Sequence, residues 1–264
     1  MVFKYGIINM LDFLGGKMKS SNPMFRNDIY EQAYALEEKP MTVSGSINKL
    51  LLLSLVMLIS ASGVYYQFSL GRYDFVQSSL MGGIIIGFIV AIVLAFKKDL
   101  AKYLAPIYAL AQGAAISAIS CTFEAQLPGI VIQAVSITLL VVFVMALLFK
   151  TKILQATQTL KNAIAIGTGA IGLFYLVSFI LMLFGVNIPY FTANSPLNLV
   201  VNIIIAGFAA FNLIIDFDFI REGERKMLPS SFEWYGAFGL LVTILWLYIE
   251  ILRILLRIAG SRNN

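Results

Sequence analysis

The sequence predicts an all-α integral membrane protein, a bundle of seven transmembrane helices, and three observations carry that prediction. Of 264 residues, 59% are hydrophobic and only 12% are charged, whereas a soluble domain carries about 25% charged residues. The charges are also unevenly placed: 50–71, 75–96, 103–123, 125–149 and 162–215 contain no Asp, Glu, Lys or Arg. A helix crosses the hydrocarbon core of about 30 Å with roughly 20 apolar residues. Nor do the runs break into the alternating segments of about 10 residues that would mark barrel strands, and an open sheet edge has no place in lipid.

Taken in order, the spans are expected at about 48–69, 75–96, 104–124, 128–149, 162–184, 197–220 and 234–257. The first four are the first four charge-free runs. The fifth and sixth share the long run, divided by a loop at Pro189 and Ser195-Pro196. The seventh is interrupted by Glu250, Arg253 and Arg257. Residues 1–46 read as a polar N-terminal tail, 47–258 as the membrane domain and 259–264 as a short C-terminal tail. Asp12 and Lys17 flank only a short apolar stretch, so a secretory signal peptide is not expected. Internal repeats of the inverted-transporter kind are not evident. Gly83-xxx-Gly87 and Ala165-xxx-Gly169 have the spacing of close helix packing.

Composition also excludes chemistry. With no histidine and one cysteine, there is no Ser-His or Cys-His nucleophile, no intrachain disulfide and no cysteine-cluster zinc site. A rhomboid-type protease needs a histidine, an intramembrane aspartyl protease a Gly-x-Gly-Asp, and a retinal pigment a lysine in the seventh span. None is present, so no enzyme and no cofactor are expected. The net charge of +5 follows from topology. Basic residues gather in the N-terminal tail and in the second-to-third, fourth-to-fifth and sixth-to-seventh loops, leaving Arg72, Arg253, Arg257 and Arg262 on the other side. Basic loops stay in the cytoplasm, which places the N-terminus inside and the C-terminus outside; the alternative is that the C-terminal arginines hold a half-inserted seventh helix on the inner side. The basic balance then suits anionic lipid rather than nucleic acid.

Ionisable residues at bilayer depth are expensive and therefore functional candidates. In the sixth span Asn198, Asn202 and Asn212 lie within about 40° of Asp216 at the helical turn of about 100° per residue. Asp218 falls on the other side, so Asp216 is preferred as the inward acid; the alternative is that both are solvated helix-end charges. In the seventh span Gly236, Gly239, Thr243, Trp246, Glu250 and Arg257 share a stripe of about 80° with Arg253 beside it. Such a face suits a central helix, although Glu250 and Arg253 alternatively neutralise each other as a structural pair. In the third span Gly113, Ser117, Ser120 and Glu124 form a further polar face, with Gln112 off it and Glu124 alternatively a solvated helix end. With the last turn centred near residue 227, Glu250 stands roughly 18 Å beyond the level of Asp216. Glu250 is expected to approach Glu124 instead, giving acidic groups at two depths of one interior path.

Several stretches are similar to a known family: Ser21-Asn22-Pro23, Met41-Thr42 and Lys49; Tyr108 to Glu124 with Pro128-Gly129-Ile130-Val131 and Gln133-Ala134; and Phe149-Lys150-Thr151. The most specific are LIIDFDFIREG at 213–223 and the run from Glu233 to Leu255. Together they resemble the bacterial, YccA-like branch of the Bax-inhibitor family over about 20–258. That resemblance implies a bacterial inner-membrane bundle with its last helix central, and a pH-sensitive calcium leak gated by two aspartates that share a proton. The sixth-helix aspartate corresponds to Asp216 or Asp218. The seventh-helix one falls at Thr243, with Glu250 two turns on, and a transported cation would sit at Asp216 or Glu250. The chain departs from the pattern by lacking an arginine in the second span and by carrying Gln112 where an acid is common. The resemblance also implies a membrane partner, such as a quality-control protease, reached through residues 20–46.

Overall fold

The computed structural model describes residues 39–186, 188 and 196–262. The chain divides after Lys39, and the unit Pro40–Asn264 holds every helix considered below. Most of the expected polar tail, including Ser21-Asn22-Pro23, lies outside the described residues, as does the loop at Pro189 and Ser195. Among the described residues, seven helices are long and apolar enough to cross a membrane: α1 Val43–Ser69, α2 Tyr73–Phe96, α3 Ala101–Gln126, α4 Ile130–Lys150, α5 Gln158–Leu183, α6 Pro196–Arg225 and α7 Phe232–Arg262. Among the described residues there is no strand, only an isolated bridge between Pro40 and Pro229.

Local chemistry explains the ends that the charge gaps place differently. The first helix begins at Val43 rather than near 48, because Thr42, in extended conformation, accepts a hydrogen bond from the Gly45 N–H at 2.8 Å. A threonine at this position satisfies one of the donors a helix start leaves open. Thr157 does the same for α5. Gly71, between α1 and α2, and Gly129, immediately before α4, both have positive φ, of 74° and 87°, where glycine carries no steric penalty. At the other end of the chain α7 continues through Arg262, so most of the expected C-terminal tail is helix.

The last helix is central. It packs against α6, α1, α4 and α3, while α3 in turn packs against α1 and α2. Half of the spanning window of α3 and of α7 is buried, against 11% for α1 and 12% for α5. A core of Leu53, Leu94, Ala105, Tyr108, Ala109, Phe238 and Leu241 joins α1, α2, α3 and α7, and outward faces carry large apolar residues such as Leu51, Phe88, Leu139 and Phe143.

Because lipid is as apolar as leucine, association in a membrane depends on close packing of small residues, and α3 supplies them. A Cβ at Gly83 of α2 would meet the Ala115 side chain at 2.8 Å, and one at Gly87 would occupy the place of the Gln112 amide. The Gly83-xxx-Gly87 spacing is therefore a packing face. Ala165-xxx-Gly169 is not: both residues are exposed, and a Cβ at Gly169 would meet nothing within 4 Å. The close approach on α5 is made instead by Gly167, which lies under the Phe208 ring.

Candidate functional site

Three polar centres sit on or beside α7. The first is Asp216, which faces the central helix: the Thr243 hydroxyl donates to its Oδ2 at 2.6 Å. Its Oδ1 lies over Gly239, where a Cβ would stand 3.5 Å away, so the small residue on the stripe makes room for the carboxylate. Asp216 is part-buried and forms no ion pair among the described residues.

Asp218 is the more buried of the two acids, at 7% exposure, yet its charge is compensated. Lys161 at the start of α5 pairs with Oδ2 at 2.5 Å and Arg221 with Oδ1 at 3.1 Å. The Arg221 guanidinium in turn stacks 4.3 Å from the centre of the Phe149 ring on α4. Asp218 thus ties three helices at the end of the bundle where the basic loops gather, and Asp216 is left as the acid without a cation.

The second centre is Glu250, fully buried on α7. The Tyr175 hydroxyl of α5 donates to Oε1 at 2.6 Å, the Asn202 amide of α6 donates to Oε2 at 2.9 Å, and Arg253 donates to Oε1 at 3.2 Å. Arg253 also donates to the Tyr175 oxygen at 2.9 Å, and Arg257 donates to the Asn202 carbonyl at 2.8 Å. The Glu250–Arg253 pair anticipated from the spacing therefore exists, inside a network across three helices. A buried charge survives in a low-dielectric interior only with this kind of pairing and hydrogen bonding.

Glu124 does not join Glu250. Both of its oxygens accept from backbone N–H groups at the start of α4, Gly129 at 2.6 Å and Val131 at 3.0 Å. The reason is local: the turn after α3 presents open N–H donors, and a carboxylate one turn back is the natural acceptor. The rest of the α3 polar face is also structural. Ser117 donates to the Ala61 carbonyl of α1 at 2.8 Å, Ser120 bonds Tyr248 of α7 at 2.7 Å, and Gly113 lies against the Met57 carbonyl.

The asparagines of α6 divide between partners. Asn202 serves Glu250, while Asn212 donates to Thr168 of α5 at 2.7 Å and to its own Phe208 carbonyl at 2.8 Å. Asn198, one turn before Asn202, is half-buried. The shared stripe thus faces the crevice between α5 and α7.

A third centre had no role in the sequence reading. Glu233, 5% exposed in the first turn of α7, accepts from the Thr42 N–H at 2.9 Å, the Thr42 hydroxyl at 3.0 Å and Lys49 at 2.5 Å. Glu224 accepts from the Val43 N–H at 3.0 Å, and Met41, 1% exposed, donates its N–H to the Leu228 carbonyl at 2.7 Å. The Met41-Thr42 and Lys49 motifs are thereby explained. Thr42 and Lys49 lie two turns apart on one face, and both reach Glu233 at the start of α7.

Six spanning helices around a central seventh define a polytopic integral membrane protein, and carboxylates of α6 and α7 stand along that central helix. The chain belongs to the Bax inhibitor 1 like family, whose model matches residues 22–260. Comparison with curated proteins and with solved structures returned no match. Among the described residues, no three His, Cys, Asp or Glu side chains gather as a metal site.

Proposed function

We propose that this protein is a pH-sensitive cation leak channel, calcium included among its ions, and that Asp216 is its titrating gate. The observation that supports the reading is the contrast between the acids. Asp218 and Glu250 have cationic partners, whereas Asp216 has a neutral hydroxyl on the central helix. Ionised, its free oxygen offers a passing cation the kind of ligand hard ions prefer; protonated, it does not. Flux therefore falls as pH is lowered through the titration of Asp216. In this reading the basic end and N-terminus face the cytoplasm and Glu250 the outside, as the basic-loop rule directs, with the bacterial inner membrane as the site of action.

The family's second carboxylate has no counterpart beside Asp216, because Thr243 occupies that place. The gate is therefore one carboxylate and one hydroxyl, with Glu250 as a neutralised outer plug. In proteoliposomes, Asp216→Asn should cut calcium flux at neutral pH by at least about tenfold, the equivalent of roughly 1.4 kcal/mol, and flatten its pH profile. Glu250→Gln should change flux while leaving the profile's pH dependence. Absence of flux at every pH, or flux untouched by both substitutions, refutes the channel reading.

A second reading, a non-conducting regulator of another membrane protein such as a quality-control protease, is supported by the docking of Pro40–Lys49 on the α6–α7 turn. A partner held by the preceding residues would act directly on that turn. Deleting residues 1–38 should then abolish capture of such a partner in a pull-down while any flux survives; capture that persists counts against this version.

A further inference from the structure

Between the two acidic levels, α7 carries Trp246, three residues after Thr243 and four before Glu250 on the same stripe. Its place along the axis is about 4.5 Å beyond Thr243 and about 6 Å short of Glu250. Side chains on a helix lean toward its N-terminus, so the indole leans toward the Asp216–Thr243 pair. On α6 the residue midway between Asp216 and Asn202 is Ala209, fully buried and small. A large ring on α7 thus stands at the level of a small residue on α6, between one polar pair and the next.

The indole is half-buried, but its Nε1 is buried and has no hydrogen-bond partner. It is the single buried side-chain nitrogen or oxygen in that position among the described residues. Buried N–H groups are almost always paired, because an unpaired one costs free energy comparable to a lost hydrogen bond. A phenylalanine would fill similar space with no such cost. An indole here makes physical sense when the N–H has an acceptor that is not part of the chain.

We propose that Trp246 is the constriction of the path and that its Nε1–H holds a water molecule there, making it a positioning residue for the hydration of the passing ion. The inference rests on the channel reading for its purpose but on the orphaned N–H for its existence. Water fits the chemistry. It accepts from the indole and has two protons to offer, and the carboxylates of Asp216 on α6 and Glu250 on α7 stand at the levels to either side. Buried waters typically make about three such bonds. An N–H donor repels a bare cation yet tolerates a hydrated one, so the ring passes ions only with part of their shell.

The test is exchange of the indole proton. The full chain, labelled uniformly with nitrogen-15 and placed in lipid nanodiscs, has two indole signals, from Trp234 and Trp246. Trp246→Phe assigns them, or Trp234→Phe does so if the first variant fails to fold. After transfer to heavy water, the Trp246 signal should vanish while backbone amides of central α7 persist. A Trp246 signal that lasts as long as those amides means a dry indole and overturns the inference, whatever the flux. A fast-exchanging indole in a chain that carries no ion leaves the water site standing and removes the channel reading. In a conducting chain, Trp246→Phe should lower flux about fivefold, the effect of one lost hydrogen bond, and Trp246→Ala should raise it; flux unchanged in both also overturns the constriction.

Discussion

Glu250→Ala should destabilise the bundle by about 3–5 kcal/mol, the cost of removing one partner from a buried ion pair. The substitution leaves the Arg253 guanidinium, the Tyr175 hydroxyl and the Asn202 amide facing one another without their common acceptor. No water reaches a fully buried position without a further rearrangement. Glu250→Gln keeps the shape and one acceptor oxygen, so its cost should be smaller, about 1–2 kcal/mol, as for a charge-assisted bond made neutral. Replacing both Glu250 and Arg253 with leucine and methionine should recover much of the loss, since apolar substitutes for a buried pair are often neutral. Thermal unfolding in one detergent checks all three. An alanine variant with the unfolding temperature of the parent protein would show that the network is not holding α5, α6 and α7 together.

Gly113→Val acts at the other side of the central helix. A Cβ at this glycine lands on the Met57 carbonyl of α1, and the obstacle is backbone rather than the end of a flexible side chain. The two helices must separate, which breaks the Ser117–Ala61 bond four residues further on and opens the core shared with α7. Overpacking typically costs about 1–3 kcal/mol, and the expected value here lies at the upper end. Gly169→Ala is the matched control. Its site is open and exposed, and alanine favours a helix over glycine by about 1 kcal/mol. Comparing the two by yield of monodisperse protein and by unfolding temperature gives opposite signs; equal behaviour would refute the packing role assigned to Gly113.

The spans were legible because charge is excluded from lipid so strongly that its gaps mark helices directly, and each of the seven appears. Helix ends were less so, since caps such as Thr42 extend a helix past the last apolar residue. Periodicity marked Asp216 as the inward acid of α6 but did not name Thr243 of α7 as its partner. What periodicity does not contain is a partner's identity. Glu124 points along its helix to a turn that no wheel represents, and Asp218, on the far side of α6, is buried by Lys161 from a different helix. Glu233 and Tyr175 were missed for another reason. A first-turn acid is ordinary at a helix start and a tyrosine inside an apolar run carries no charge to mark it, and only contacts distant in sequence reveal that both are held by charge. Motif recognition found the Met41-Thr42 and Lys49 positions without supplying their purpose, which lies 184 to 191 residues away.

The fifth helix has little buried surface, and three of its bonds to α6 and α7 are evenly spaced. Lys161 meets Asp218, Thr168 meets Asn212, and Tyr175 meets Glu250, at intervals of seven residues. Teeth at a common pitch engage together or not at all. A slip of one turn, about 5.4 Å, would bring Ala165 and Gly172, or Ile164 and Ile171, to the places of Thr168 and Tyr175. Asp218, Asn212 and Glu250 would then lose their α5 bonds in one step, each at a cost of about 0.6–2 kcal/mol in lipid. The polar rungs thus work as a key cut for one position of a sliding bolt. The three rungs seat α5 in one register, and a slip that releases one releases the others with it.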